Sequence, residues 1–238
     1  MALRPIFIPL ANYPFVGEKV IEFKWYPGLA KSQAQKSIQS LHNSAANQGI
    51  TPILEISSKS QDDIGIALSA FNLKLRIGQS TISVECAYQG SKVFTHGGPF
   101  SDLYFGTSVQ AKKDERIRNS GKLIRYSFFE ESFPVEPITL FYNWLYLNAL
   151  AQNNDVATKL LSYKGFSDIA FNPKTSSNCQ ARAAALYVSL YNNNKLDYIL
   201  QDKSHYIDLI QLGTCEKVEF TKMRESMQVS QLELPLRR

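Results

Sequence analysis

A short stretch near the middle of the chain sets the terms for everything around it. From Thr81 to Phe94 the sequence reads TISVECAYQGSKVF: a strand-like run, Thr81-Ile82-Ser83-Val84, leads into a helical segment on which Glu85, Gln89 and Lys92 follow one another at i, i+4 and i+7. Positions three and four apart share a helix face, so a carboxylate, an amide and an ammonium stand in one row. Ala87, Tyr88, Ser91, Val93 and Phe94 beside them are small or apolar, which places the helix inside the domain rather than on it. A buried charged row costs several kcal/mol unless its members pair with one another or serve a ligand. A surface helix carrying a Glu/Lys pair is the simpler reading of the same spacing.

The class of chain follows from its length and make-up. At 238 residues, 44% hydrophobic and 20% charged, it can fill one core or two small ones. No internal repeat, low-complexity tract or linker divides it, so a single domain over 1–238 is the economical reading, with 1–20 irregular and about 223–238 a polar, flexible tail. The chain lacks a run of 18 or more apolar residues, and MALRPIFIPLANYPF lacks the marks of a leader; no membrane partner is expected and the default compartment is the cytoplasm. Cys86, Cys179 and Cys215 are odd in number and have no metal-type spacing; they read as small buried residues, with no metal site and no cofactor. The formal charge of +5 gathers partly between Ala111 and Arg125, where Lys112, Lys113, Arg116, Arg118, Lys122 and Arg125 outnumber Asp114 and Glu115. A solvated face explains such a run; a patch contacting phosphates, those of a nucleic acid or the pyrophosphate of a nucleotide ligand, is the functional alternative.

The order of elements predicts an α+β fold, mainly helical with a small β-sheet. Four prolines in the first 30 residues predict short extended pieces and loops, with a strand at Glu22 to Tyr26. Ser32-Gln33-Ala34-Gln35 fits a capping box opening a helix to about Asn47, and Ile53 to Ile56 reads as a strand. Beyond the Glu85 helix lies the Gly97-Gly98 loop, then a helix over Ser108 to Ile117 and an aromatic strand, Leu123 to Phe129. Helices are expected at Leu140 to Ala151, at Asn154 to Ser162, from Ser176–Asn178 caps to about Tyr191, and at Lys195 to Ile210.

Leu68-Ser69-Ala70-Phe71, followed by Ser83-Val84-Glu85-Cys86-Ala87-Tyr88-Gln89-Gly90-Ser91-Lys92, resembles the two adjacent signatures of the NADAR family, N-glycosidases acting on ribosyl links. Gly165 to Asn172 and Asn178-Cys179-Gln180-Ala181 resemble its late Asp-containing turn and helix start. From Phe23 to about Tyr191 the chain is similar to the branch encoded beside DarT-type toxins, which attach ADP-ribose to guanine in DNA. The resemblance implies Glu85, Lys92 and Asp168 as catalytic residues. It implies a pocket drawing on Ser69, Phe71, Asn72, Gln89 and Gly98, with Asp102, Asn178, Gln180 and Arg182 beside branch-like motifs. Two departures stand out: Ala70 replaces the usual asparagine, for which Asn72 is the available substitute, and a tryptophan common before the Phe141 to Leu150 helix is absent. Helix capping is the plainer role for Asn178.

Breaking a ribosyl N-glycosidic bond puts positive charge on the anomeric carbon and ring oxygen, so the site needs a carboxylate there, a proton for the departing nitrogen and a way to place water. Glu85 and Asp168 supply two carboxyl groups, their division of labour open. Lys92 is a charge partner or, with an opened ribose, a Schiff-base nucleophile. The function implied is removal of ADP-ribose from guanine in DNA, as antitoxin to a DarT-type partner, with Lys112, Lys113, Arg116 and Arg118 toward the nucleic acid. Two alternatives stand beside it: an N-glycosidase on small ribosylated metabolites such as riboflavin-pathway intermediates, and a reader that binds ADP-ribosylated nucleic acid without cleaving it. Oligomeric state is not encoded in these features.

Overall fold

The structure is a computed structural model that describes residues 1–174 and 176–210; the expectations for Cys215 and for a tail from about 223 lie outside the described residues. Met1–Leu196 make one compact unit. It opens with two strands, β1 (Ala2–Pro9) and β2 (Val16–Phe23), paired antiparallel from Ala2 opposite Phe23 to Pro9 opposite Val16. The first 20 residues are therefore largely a hairpin, not irregular. The prolines misled because β1 is bonded along β2 but meets its other neighbour only at Phe7, opposite Phe166, and a strand mostly open on one flank tolerates residues without an N–H.

That neighbour is β9 (Gly165–Ser167), and β3 (Ile53–Glu55) runs parallel to it, completing the order β2-β1-β9-β3. Helix α1 (Lys31–Ala46) lies over this sheet, burying Ile38, Leu41 and Ala45 against Ile6, Ile21 and Phe23. The expected capping box is absent: Ala30 is the N-cap and no side chain caps it, because the helix begins before Ser32 and draws that serine inside its first turn. Other serines on α1 serve instead, Ser37 Oγ accepting from Tyr26 N (3.0 Å) and Ser40 Oγ from Lys24 N (3.1 Å).

Around α3 (Val84–Gly90) the remaining elements converge. The hairpin of β4 (Lys74–Ile77) and β5 (Ser80–Ser83) feeds into it, and the sheet of β6 (Lys92–Phe94), β7 (Leu123–Phe128) and β8 (Glu131–Phe133) leaves from it. Helix α6 (Leu140–Gln152), buried on nearly every side, packs against α3 and against α8 (Gln180–Asn192). Shorter helices, α2 (Asp63–Ala67), α4 (Ser108–Lys113), α5 (Arg116–Asn119) and α7 (Asn154–Leu160), fill the connections. The helix expected over Ser108 to Ile117 is broken at Asp114, whose extended backbone and carboxylate, accepting from Arg116 N at 2.9 Å, start α5 afresh. From Asp197 on, a second unit is described over 197–210, comprising the rest of α9 (Leu196–Gln201) and a helix at 203–210; Asp202 accepts from Ser204 N at 2.7 Å between them. The α+β class holds, with more helix than strand. Among the described residues no helix is long and apolar enough to cross a membrane.

Candidate active site

The N-terminus of α3 is fixed by its own cap and by the segment before it. Ser83 Oγ accepts from Cys86 N at 3.1 Å, Glu85 N donates to Ala70 O at 2.9 Å, and Val84 N donates to Leu73 O at 3.0 Å. The Leu68–Phe71 carbonyls are held in turn by Tyr146 Oη on Leu68 (2.6 Å) and Ser108 Oγ on Phe71 (2.8 Å). From much later in the chain Gln180 bridges this segment to the residue that follows β3, its Oε1 accepting from Ala70 N (2.7 Å) and its Nε2 donating to Ile56 O (2.6 Å). Residues distant in sequence are thereby gathered about one cavity of about 470 Å3, within the range of small-ligand pockets.

Glu85 lines that cavity while 6% exposed, and its Oε1 accepts from Gln89 Nε2 at 3.0 Å. Gln89 Oε1 accepts from Lys92 Nζ at 2.7 Å, so the expected carboxylate, amide and ammonium form a hydrogen-bonded chain. Lys92 is not on the helix, however. Helix α3 stops at Gly90, where Ser91 Oγ donates to Ala87 O (2.7 Å), and Lys92 begins β6 opposite Tyr126. Its ammonium lies 4.5 Å from the Tyr88 ring centroid. Burial pushes the Lys92 amine down to about 8 against a partial upward pull from Glu85, and Lys112 adds to the lowering.

Asp168 follows β9 and faces the same cavity, half-buried, its Oδ1 accepting from Ala170 N (3.0 Å) and Phe171 N (3.2 Å). Desolvation first, then the neighbouring Glu55 carboxyl, raise its pKa to about 7, against the lowering by those amides and by Gln180. Tyr142, on α6, feels both Glu85 and Asp168 electrostatically and lines the cavity with them.

Of the other expected residues, Ser69, Phe71, Asn178, Gln180 and Lys112 line the cavity, Lys112 Nζ standing 5.2 Å over the Phe71 ring. Asn178 is not a helix cap, since Cys179 holds that position. Its Nδ2 donates to Tyr88 Oη at 2.7 Å, while its Oδ1 is buried with no hydrogen-bond partner. Such an acceptor at a cavity wall is met by a donor from water or from a bound molecule. The rest lie elsewhere. Asn72 is exposed and donates to Ile66 O (2.9 Å), so it does not make good the missing asparagine at Ala70, whose side chain lines the cavity bare. Asp102 and Arg116 are engaged with each other on the surface, Nη2 to Oδ2 at 2.7 Å, and Arg116 also grips Asp114; local charge neutralisation explains both. Arg182 faces Glu18 of β2 at 3.5 Å, and Lys113 and Arg118 are exposed outside the cavity lining.

Gly98 does not touch the cavity but supports it from behind. It has φ +89°, and a Cβ there would sit 2.2 Å from Lys92 O. Gly98→Ala therefore displaces the start of β6, and a loss of about 2–4 kcal/mol is expected in chemical denaturation.

Sequence reasoning did not single out Tyr88, Tyr142, Lys59 or Phe171 as lining residues, nor Glu55 beneath the floor. Tyr88 was within reach, lying three residues from Glu85 and four from Lys92; Lys59 carried no signal. A family model described as DarT1-associated NADAR antitoxins matches residues 2–219. The chain belongs to this family. No curated protein matches it at a significant level. In this NADAR antitoxin the match takes in both signature segments and the Asp168 turn, and so every residue lining the cavity. Among the described residues no three His, Cys, Asp or Glu side chains gather to hold a metal ion.

Proposed function

We propose that this NADAR antitoxin is a cytoplasmic N-glycosidase that removes ADP-ribose from guanine in DNA, reversing the modification made by a DarT-type toxin. The observation that supports this most is that Glu85 and Asp168, brought from separate elements, face one ligand-sized cavity whose wall carries Lys92. Asp168, with its pKa raised to about 7, holds a proton near neutrality and delivers it to the departing guanine nitrogen. The Glu85 carboxylate faces the anomeric carbon, stabilises the positive charge that develops there and accepts a proton from the attacking water. The C–N bond breaks and a C–O bond forms; water ends as the hydroxyl of ADP-ribose and one hydrogen on restored guanine. Asn178 Oδ1 accepts from an N–H or O–H of the substrate. Lys92 is the charge partner of the substrate, and its lowered pKa leaves about a tenth of it neutral at pH 7, which also permits attack on an opened ribose. No metal or cofactor is needed for these steps.

The small-metabolite reading draws support from Arg116, which two aspartates already engage, leaving Lys112 as the member of the basic run that reaches the cavity. Incubation with guanine-ADP-ribosylated oligonucleotide and, separately, with a free ribosylated pyrimidine decides between the two. Release of ADP-ribose from the oligonucleotide is expected. Cleavage of the pyrimidine alone reverses the order, and saturable oligonucleotide binding without release makes the protein a reader.

A further inference from the structure

Beneath the cavity floor lies a polar cluster that the proposed chemistry does not use. Glu55 ends β3, is 3% exposed, and stands opposite Ser167 in the parallel pairing with β9. Its Oε2 accepts from Ser167 Oγ at 2.5 Å and its Oε1 from Ile169 N at 2.9 Å, so it grips the backbone on both sides of Asp168. While Ser167 Oγ donates to an ionised Glu55, the 2.8 Å contact between His42 Nε2 and Ser167 Oγ is one in which His42 donates, from its Nε2–H tautomer. Among the described residues neither Glu55 nor Asp168 forms an ion pair with a lysine or arginine. Two neighbouring carboxyls, one enclosed and the other facing the cavity, do not both ionise readily when neither is paired with a cation.

We propose that Glu55 is a positioning residue for Asp168: it anchors the Asp168 turn through Ser167 and Ile169 and shares a single proton with Asp168, so that Asp168 meets the substrate as an acid. This rests on the reading of Asp168 as proton donor. Asymmetry between the carboxyls follows from their surroundings. Glu55 is closed off and accepts a hydroxyl, from Ser167, and an amide, from Ile169; Asp168 faces the cavity, where its proton can be passed on.

The other titratable groups packed against this floor from α1, α6 and the start of α8 hold their state through neutral pH. Burial pushes His42, on α1, down to about 4, so it is neutral there. Burial pushes Tyr142 and Tyr146, from α6, and Cys179, before α8, well up, so they keep their protons. Across the cavity stand Glu85, Lys92 and Lys59. Near neutrality the proton on this floor is thus divided between Glu55 and Asp168.

Carboxyl carbon-13 titration of the labelled full chain tests this without any substrate. In the wild type the Glu55 and Asp168 resonances are expected to show the same two inflections, the signature of a coupled pair; two independent single midpoints overturn the proposal. In Glu55→Gln the Asp168 midpoint falls by about one pH unit or more, and the descending limb of the kcat profile moves to lower pH with it, while the low-pH plateau stays within about threefold. A purely structural Glu55 lowers kcat equally at every pH and leaves the Asp168 midpoint in place, which also overturns the proposal. Should Glu55→Gln not fold, the wild-type titration still decides. Should the protein cleave no ribosylated substrate while the coupled inflections remain, the proposed function fails and the carboxyl pair stands.

Discussion

Glu85→Gln lowers the rate of ADP-ribose release by about a hundred- to ten-thousand-fold while leaving the fold in place. The effect is large because the substitution removes charge and little else. Glu85 is almost fully enclosed and its side chain accepts from Gln89 Nε2, a donor that an amide oxygen satisfies as well as a carboxylate does. Denaturation is therefore expected to move by no more than about 1 kcal/mol. What is lost is the negative charge opposite the developing cation, which neither an amide nor a neutral water replaces. Lys92 reports the same loss independently. Glu85 is the group that pulls the buried amine upward, so in its absence the amine titrates below about 8 and reacts faster with acylating reagents at neutral pH. Borohydride reduction in the presence of substrate then separates two roles for the amine: a lysine adduct marks a Schiff base, and its absence marks charge pairing. Near-wild-type turnover in a folded Glu85→Gln protein removes Glu85 from the mechanism.

What the sequence revealed of this site, and what it hid, follows from the distance over which each interaction acts. The inward placement of α3 was readable because small and apolar residues flank Glu85 and Gln89 within one helical turn. Lys92 was assigned to the right neighbour by the wrong route: the helix ends at Gly90, yet an extended residue starting β6 still brings its ammonium to Gln89. Asp168 was visible through resemblance alone, since nothing in its local spacing shows that it meets α3. Glu55 was invisible. Ile53 to Ile56 read simply as a strand, and its burial depends on parallel pairing with β9, 112 residues from Ser167 in the chain. The surface charges erred in the opposite direction, because a run of basic residues gives no sign that Asp102 and Asp114 will take up Arg116. Prolines in β1 hid the hairpin, as local propensity carries no information about which flank of a strand stays open.

Asp168→Asn is expected to cost activity and add stability, and the pH at which the gain appears is set by the carboxyl's own titration. An amide keeps the acceptor for Ala170 N and Phe171 N but supplies no acid, so turnover falls by about a hundredfold or more. Stability has the reverse sign. A folded-state pKa raised from 3.8 to about 7 means that the wild-type carboxyl contributes stability fully below pH 4 and loses it progressively as pH rises through 7. The variant has nothing to lose, so the two proteins match near pH 4 and the variant leads above pH 7. The lead has an upper bound of about 4 kcal/mol, reduced by water on the cavity side of Asp168 and by the partial relief of Glu55. His42 sharpens the test. Its pKa is depressed from 6.5 to about 4, so its contribution is present above pH 6.5 and lost on acidification through 4, a slope opposite to that of Asp168 over the same window. In the wild type the two oppose each other between about pH 4 and 6.5; in Asp168→Asn the Asp168 slope is gone while burial still holds Glu55 up, so the stability difference, variant minus wild type, grows with pH across that range. Urea denaturation of both proteins at pH 4, 5.5 and 8 measures the difference, and parallel curves would show that Asp168 is charged and solvated in the folded state, unfit to act as the acid.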